Sequence, residues 1–299
     1  MTFVEFWVTL ARVKGSTRRA AFVAGVAALV FAGAAYAANT KSFTDAGGDA
    51  STSPDLTSVA VSSDDAGLIT VKLTLANRPA LGATDGVAVA LDTDQNPDTG
   101  AVFYGAEWEL DLVAGSAATV YQATAAGDYT QVPAPASYHA SFEGGVATLT
   151  FNAADFGITS GFNVHALGFD NNGGLDAAPN FRSVNYQLAG STTPPALQPD
   201  HRAPVDLAIK SRGTHGKVAG LGYFAWDGRG VTADAFVIYK GKKIVGRVNL
   251  PLADTSPYLL YVARWKVPKK TKGKLRFCVR STDRAGNKSN NSCAALTIK

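Results

Sequence analysis

The chain is poor in the residues that most often carry chemistry. Its 299 residues hold two cysteines, four histidines and one methionine, which is Met1. The cysteines, Cys278 and Cys293, are too far apart for a redox Cys-x-x-Cys, and the scattered His139, His165, His201 and His215 offer no close pair for a zinc motif. No nucleophile elbow and no phosphate-binding glycine loop occurs. Helical periodicity on the scale of a domain is also missing. Paired carboxylates are plentiful, so residue type alone leaves a glycosidase open. They sit, however, in turns that read better as cation ligands, and the expectation is a protein that is not an enzyme.

Two further shortages divide the chain. Residues 38–200 contain four basic residues (Lys41, Lys72, Arg78 and Arg182) against 18 acidic ones, a net charge of −14. Residues 201–299 contain no glutamate and five aspartates against 20 lysines and arginines, a net of +15. The whole-chain charge of +4 conceals this. Such an asymmetry points to two modules with different surfaces and different partners.

What is present begins with an export pattern. Arg12, Lys14, Arg18 and Arg19 precede an apolar run from Ala20 to Ala34, followed by the small-x-small triplet Ala35-Tyr36-Ala37. Residues 1–37 are expected to be a signal peptide cleaved near Ala37–Ala38, giving a secreted or cell-surface protein. The alternative is an uncleaved anchor, since about 18 apolar residues just suffice to span a bilayer. Thr17-Arg18-Arg19 resembles a twin-arginine signal only weakly, and no cysteine follows for a lipid anchor.

After residue 50 the chain consists of short alternating runs broken by Gly, Asn, Asp and Pro. Ile69, Val71, Leu73 and Leu75 alternate with polar residues, as do Val87, Val89 and Leu91; Trp108, Leu110 and Leu112; Ala147, Leu149 and Phe151; and Phe162, Val164 and Ala166. Period two buries one face of each strand, and several such strands bury those faces by packing two sheets together. Residues 38–54 read as a polar lead-in. Residues 191–203, rich in proline, read as a linker, because proline cannot join a ladder and stiffens a spacer. Strands are expected again around 207–210, 218–226, 235–239, 259–267, 275–281 and 294–299. The fold class is all-β: two antiparallel β-sandwich domains, residues 42–190 and 204–299.

The acidic segment Asp92-Thr93-Asp94-Gln95-Asn96-Pro97-Asp98-Thr99-Gly100 places oxygen donors at alternate positions, which suits a hard cation such as calcium. It is not an EF-hand, and a plain Asx-rich turn is the other reading. Glu107, Glu109 and Asp111 share one strand face, where like charges repel unless screened. A second polar loop runs from Asp170 to Asp176, and Asp45, Asp49 and Asp55 crowd the start of the module; pairing of its first and last strands would let these groups share a site. The candidate calcium ligands are Asp92, Asp94, Asn96, Asp98, Glu107, Asp49 and Asp176. The order Asp49, Pro54-Asp55-Leu56, Leu91-Asp92-Thr93-Asp94, Thr99-Gly100, Gly105-Ala106-Glu107-Trp108 and Asp176-Ala177-Ala178-Pro179 resembles the family 9 carbohydrate-binding-module-like and DOMON-like sandwiches of secreted bacterial proteins. That resemblance implies a β-sandwich, often with structural calcium, and a sugar or haem ligand. Sugar-stacking candidates are Phe103, Tyr104, Tyr121, Tyr129 and Tyr138, each otherwise a core residue. Haem would need axial ligands, for which only His139 and His165 remain in this module.

In the basic module, Leu275, Phe277 and Val279 read as core, with Lys272, Lys274, Arg276, Cys278 and Arg280 sharing the opposite face of one strand. Ala294, Leu296 and Ile298 point inward on the last strand. A hairpin centred on Ala285-Gly286 sets Cys278 opposite Cys293, which predicts a cross-strand disulfide outside the core; two reactive free thiols are the alternative. Phe277-Cys278-Val279-Arg280 and Thr282-Asp283-Arg284-Ala285-Gly286-Asn287-Lys288-Ser289 resemble the end of bacterial Ig-like modules, which implies adhesion or spacing. A polyanion patch is expected from Lys240, Lys242, Lys243, Arg264, Lys266, Lys269, Lys270, Lys272 and Lys274. Its partner would be a glycan or an anionic cell-envelope polymer, with nucleic acid the least favoured. The alternatives are a solvated face and docking of the acidic module on the basic one. Together these readings give an exported, non-catalytic surface protein with a calcium-stabilised, carbohydrate-binding acidic domain and an anchoring Ig-like domain; a purely structural envelope protein is the alternative.

Overall fold

The computed structural model describes residues 39–101, 104–191 and 198–299. The expected export signal, Phe103 and residues 192–197 of the expected linker lie outside the described residues. Among the described residues the chain is all-β, interrupted by one 3-10 turn over Ala153–Phe156.

Twelve strands precede the linker: β1 (Asn39–Thr44), β2 (Leu56–Ser63), β3 (Leu68–Leu75), β4 (Asp85–Asp92), β5 (Trp108–Val113), β6 (Thr119–Ala123), β7 (Tyr129–Val132), β8 (His139–Glu143), β9 (Val146–Asn152), β10 (Gly161–Asp170), β11 (Leu175–Ala178) and β12 (Val184–Gln187). They form a five-stranded sheet in the order β1-β2-β3-β9-β8 and a seven-stranded sheet β11-β10-β4-β5-β6-β7, with β12 also on β10. The inward faces alternate as the sequence dictates. Ile69, Val71 and Leu73 meet Val87, Val89, Leu91, Leu110, Phe151, Phe162 and Val164 in one closed core. Strand β1, in the stretch read as a polar lead-in, is an edge strand whose residues are half-buried or exposed. That exposure is why no apolar alternation announced it.

Nine strands follow: β13 (Val205–Ile209), β14 (Ser211–Gly213), β15 (Val218–Trp226), β16 (Val231–Lys240), β17 (Lys243–Asn249), β18 (Ala253–Asp254), β19 (Tyr261–Lys266), β20 (Gly273–Asp283) and β21 (Ser292–Ile298). A three-stranded sheet, β13-β15-β19, faces a six-stranded sheet, β14-β21-β20-β16-β17, with β18 also on β16. This is an Ig- or fibronectin-III-like sandwich. Its core gathers Leu221, Tyr223, Phe236, Ile238, Trp265, Phe277, Val279, Leu296 and Ile298. Leu259 and Leu260, expected in a strand, lie outside it and are partly exposed.

Strand β4 reports how the two halves meet. All eight of its residues are buried. Val87, Val89 and Leu91 enter the core, while Ala88 lies on the opposite, outer face with Leu167 and Ala177, packed against Phe169 and against Tyr258 of the second sandwich. The part of the outer face around Ala88 is therefore covered by the turn preceding β19.

Candidate functional site

The loop after β4 is pinned by two close backbone approaches. Gly100 and Gly105 both have positive φ, and a Cβ on either would collide with main chain of Ala106 or Pro97. This folds the loop back and brings Glu107 to Asp92 and Asp94, with one carboxylate oxygen of each within 4.8 Å of the others. Asp92 is 3% exposed. Burial, then the charges of Glu107 and Asp94, push its carboxyl up to about 8 against a hydrogen bond from Asn163. Burial also raises Glu107, which accepts hydrogen bonds from Thr93 and Thr99. Asn96 donates its N–H to Asp92 and Asp94, and its side-chain oxygen accepts from the Asp98 N–H.

Asp98 does not join this group. Its carboxylate turns to the linker and accepts the N–H groups of His201, at 2.9 Å, and Arg202, at 2.6 Å. The Arg202 guanidinium in turn donates to the carbonyls of Asp98, Gly100 and Ala101. Asp98 thus fastens the linker to the acidic module, a role its alternation with Asp94 and Asn96 gave no sign of.

Asp49 and Asp176 form a second, separate group, completed by Asp45, again within 4.8 Å. Asn180 donates to Asp45 and Asp49, and Asp176 accepts from the Leu56 N–H at 2.6 Å. Asp45 is raised to about 6 by burial, then by Asp49 and Asp176. The start and end of the module do converge, in a group distinct from that at Asp92.

The tyrosines do not make one platform. Tyr138 belongs to the core and donates to the Asp111 carbonyl. Tyr104 is 3% exposed, its ring 4.2 Å from that of His165. Tyr121 and Tyr129 remain half-buried on β6 and β7. Strand register sets His165, Ala90, Glu109, Tyr121 and Gln131 in one row across the outer face. Burial raises Glu109, and it raises Asp111 to about 7 with the Glu109 charge adding to it. His139 is exposed on β8 in the other sheet and His165 is buried on β10, so the two histidines do not converge.

In the second sandwich Cys278 and Cys293 face each other across β20 and β21 and are joined by a disulfide. The cations, expected as one patch, are divided between faces. Arg264 and Lys266 are exposed on β19, in the three-stranded sheet, while Lys274 lies on β20 in the other sheet. The long apparent run from 264 to 274 crosses from one sheet to the other. Lys240, Lys242 and Lys243 surround the β16–β17 turn, and Lys269, Lys270 and Lys272 the β19–β20 turn. The outer face of the six-stranded sheet carries Lys274, Arg276 and Arg280 on β20 with Arg247 on β17, and Arg276 stacks over Tyr239 at 5.1 Å.

Between the sandwiches lies a cavity of about 500 Å³, with Asp92 and Asn163 on one wall and Asp200, Asp227 and Arg229 on the other. A third acidic group, Asp200, Asp227 and Asp283, stands at that wall. Sequence reading missed it because its members are far apart in the chain and one sits in the linker.

No family model matches the chain, and no curated protein is significantly similar to it. Among solved structures, it is similar to fibronectin(III)-like modules of CbhA from Clostridium thermocellum, at 13% identity over 78% of this chain and 86% of that one, with a TM-score of 0.23. A titin Ig tandem aligns at 13% identity over 78% and 87% of the two chains, with a TM-score of 0.24. Superpositions this loose carry nothing about function; the fold rests on the strand pairing above.

Proposed function

We propose that the protein is a non-catalytic, exported surface or adhesive protein whose acidic sandwich binds calcium and whose basic sandwich engages an anionic polymer of the cell envelope. The observation that carries this reading is the convergence of Asp92, Asp94 and Glu107. Among the described residues, no lysine or arginine forms an ion pair with any of the three. Asp92 is buried, Glu107 half-buried and Asp94 exposed, and carboxylates held together without a counter-charge are costly, most of all where one of them is buried. Oxygen donors of this kind suit Ca²⁺, and an ion there would bind the loop to the sheet. The pair of clusters accounts for Asp45, Asp49 and Asp176 in the same way. The polymer contact belongs to Arg247, Lys274, Arg276 and Arg280, which share one sheet face, more than to the lysines of the two turns.

A glycan is the second reading. It is favoured by Tyr121 and Tyr129, which stay partly open beside Glu109 on the outer face. Thermal melts with calcium and with chelator test the main reading: calcium should raise the transition, and Asp92→Asn should reduce the shift. An unchanged transition in calcium would refute it. Binding to a glycan array in calcium, lost in Tyr121→Ala, would favour the second reading.

A further inference from the structure

Asp200, Asp227 and Asp283 come from three separate segments: the linker, the turn between β15 and β16, and the last residue of β20. One carboxylate oxygen of each lies within 4.8 Å of the others. All are buried. Asp227 and Asp283 are each 4% exposed, and the Asp200 side chain is 6% exposed. Their bonded oxygens are accounted for. Asp227 Oδ2 accepts from the Arg229 N–H at 2.9 Å, and both oxygens of Asp283 accept from Asn287 at 2.8 Å. Asp200 Oδ2 lies 3.2 Å from Arg229 Nε. Independently of the clustering, Oδ1 of Asp227 and Oδ1 of Asp200 have no hydrogen-bond partner, and both residues line the cavity between the sandwiches.

Three buried carboxylates thus face one ion-paired arginine. Arg182 and Arg284 also line the cavity, but among the described residues neither forms an ion pair with the three. Burial, then the charges of Asp200 and Asp283, pushes Asp227 up to about 7. Two unmet carboxylate oxygens, with two of the three carboxylates in no ion pair among the described residues, are the complement of a divalent cation. Every donor is an oxygen, which excludes a soft metal, and the irregular set favours calcium over the strict octahedron of magnesium.

We propose that Asp200, Asp227 and Asp283 bind one calcium ion and that the ion clamps the linker to the second sandwich. The three form a group distinct from the two clusters of the acidic module, although Asp92 lines the facing wall of the same cavity. Its position has a consequence for the whole molecule. The next two residues, His201 and Arg202, are held by Asp98 of the first sandwich, and Arg229 also donates to the linker carbonyl of Gln198. An ion at Asp200 therefore fixes the point from which both modules are hung.

The test is calcium titration calorimetry on the full chain carrying Asp45→Asn and Asp92→Asn, which disables both clusters of the acidic module. This background should still bind one calcium, and adding Asp227→Asn should weaken that binding roughly ten-fold or more, because carboxylate count tunes affinity. Asp200→Asn provides the same arm should the Asp227 variant fail to fold. Terbium supplies a second readout: Trp226 adjoins Asp227 in sequence, so tryptophan-excited terbium emission from the background variant should fall in Trp226→Phe. A background variant that binds no calcium, or binding unchanged by both aspartate substitutions, would overturn the proposal. Loss of the other two clusters' calcium leaves this outcome intact, so the two readings fail separately.

Discussion

The ring of Tyr258 lies nearly parallel to that of His165, 16° apart in plane with centroids 6.2 Å apart. The first belongs to a turn of the basic sandwich and the second to the central part of the acidic one. Around this pair Tyr258 also packs on Ala88, Leu167 and Ala177, and Arg182 pairs with Asp254 at 2.6 Å nearby. That surface pair is exposed and contributes little; the aromatic seat is the apolar part of the interface.

Removing the seat should uncouple the modules. Tyr258→Ala deletes a half-buried ring and should cost about 1–3 kcal/mol, at or below the lower end of large-to-small core substitutions. Calorimetry should resolve one coupled unfolding transition in the wild type and two in the variant. A single transition in both would contradict a coupling through Tyr258.

His165 predicts a pH dependence with a definite sign. It is 1% exposed, and burial lowers its proton affinity from 6.5 to about 4. The folded protein keeps it neutral where the unfolded chain already binds a proton. Its contribution is fully present above pH 6.5 and is lost as pH falls from 6.5 to 4, by about 3 kcal/mol. Asp92, Asp111 and Asp227, all raised by burial, act in the opposite direction. Denaturation midpoints of wild type and His165→Gln should therefore be compared across that window, and their difference should shrink toward pH 4. A constant difference would mean that His165 is not held neutral.

The disulfide closes a loop with a sequence separation of 15. Reduction, or Cys278→Ser with Cys293→Ser, should cost about 3 kcal/mol by loss of loop-closure constraint. Urea midpoints with and without reductant measure it. Since the bridge sits outside the core cluster, the reduced protein should keep its far-UV spectrum.

Gly168 lies on β10, where a Cβ would strike the carbonyl of Pro54. A backbone obstacle cannot rotate away, so Gly168→Ala should destabilise by about 1–3 kcal/mol. A neutral effect would show that the 52–55 segment shifts freely.

The basic face makes its own prediction. Lys274→Glu with Arg276→Glu should lower retention on an immobilised anionic polysaccharide far more than Lys242→Glu with Lys270→Glu, and added salt should erase the difference. Equal losses would return the patch to the turns.

Much of this architecture was legible because burial imposes a period. Ile69 to Leu75, Val87 to Leu91 and Leu275 to Val279 alternate since one face of each must be dry, and the same register set Cys278 opposite Cys293. Strands without a clean apolar face escaped: β1 has none, and β17 was read only as basic residues. The clusters at Asp92 and Asp49 were legible because their members are near in sequence or at opposite ends of one sandwich. Asp98, Tyr104 and the group at Asp200 were misread or missed for one reason. Each is defined by a neighbour distant in sequence, Asp98 by the linker, Tyr104 by His165 and Asp200 by Asp227 and Asp283, and no periodicity within a strand encodes such a contact.

Calcium content is the most direct measure of the central claim. The full chain, equilibrated in calcium and dialysed against calcium-free buffer, should retain calcium in molar excess over protein by elemental analysis, with the content falling in Asp92→Asn and falling again when Asp227→Asn is added. A calcium-to-protein ratio no higher than that of the dialysis buffer, in wild type and variants alike, would contradict it.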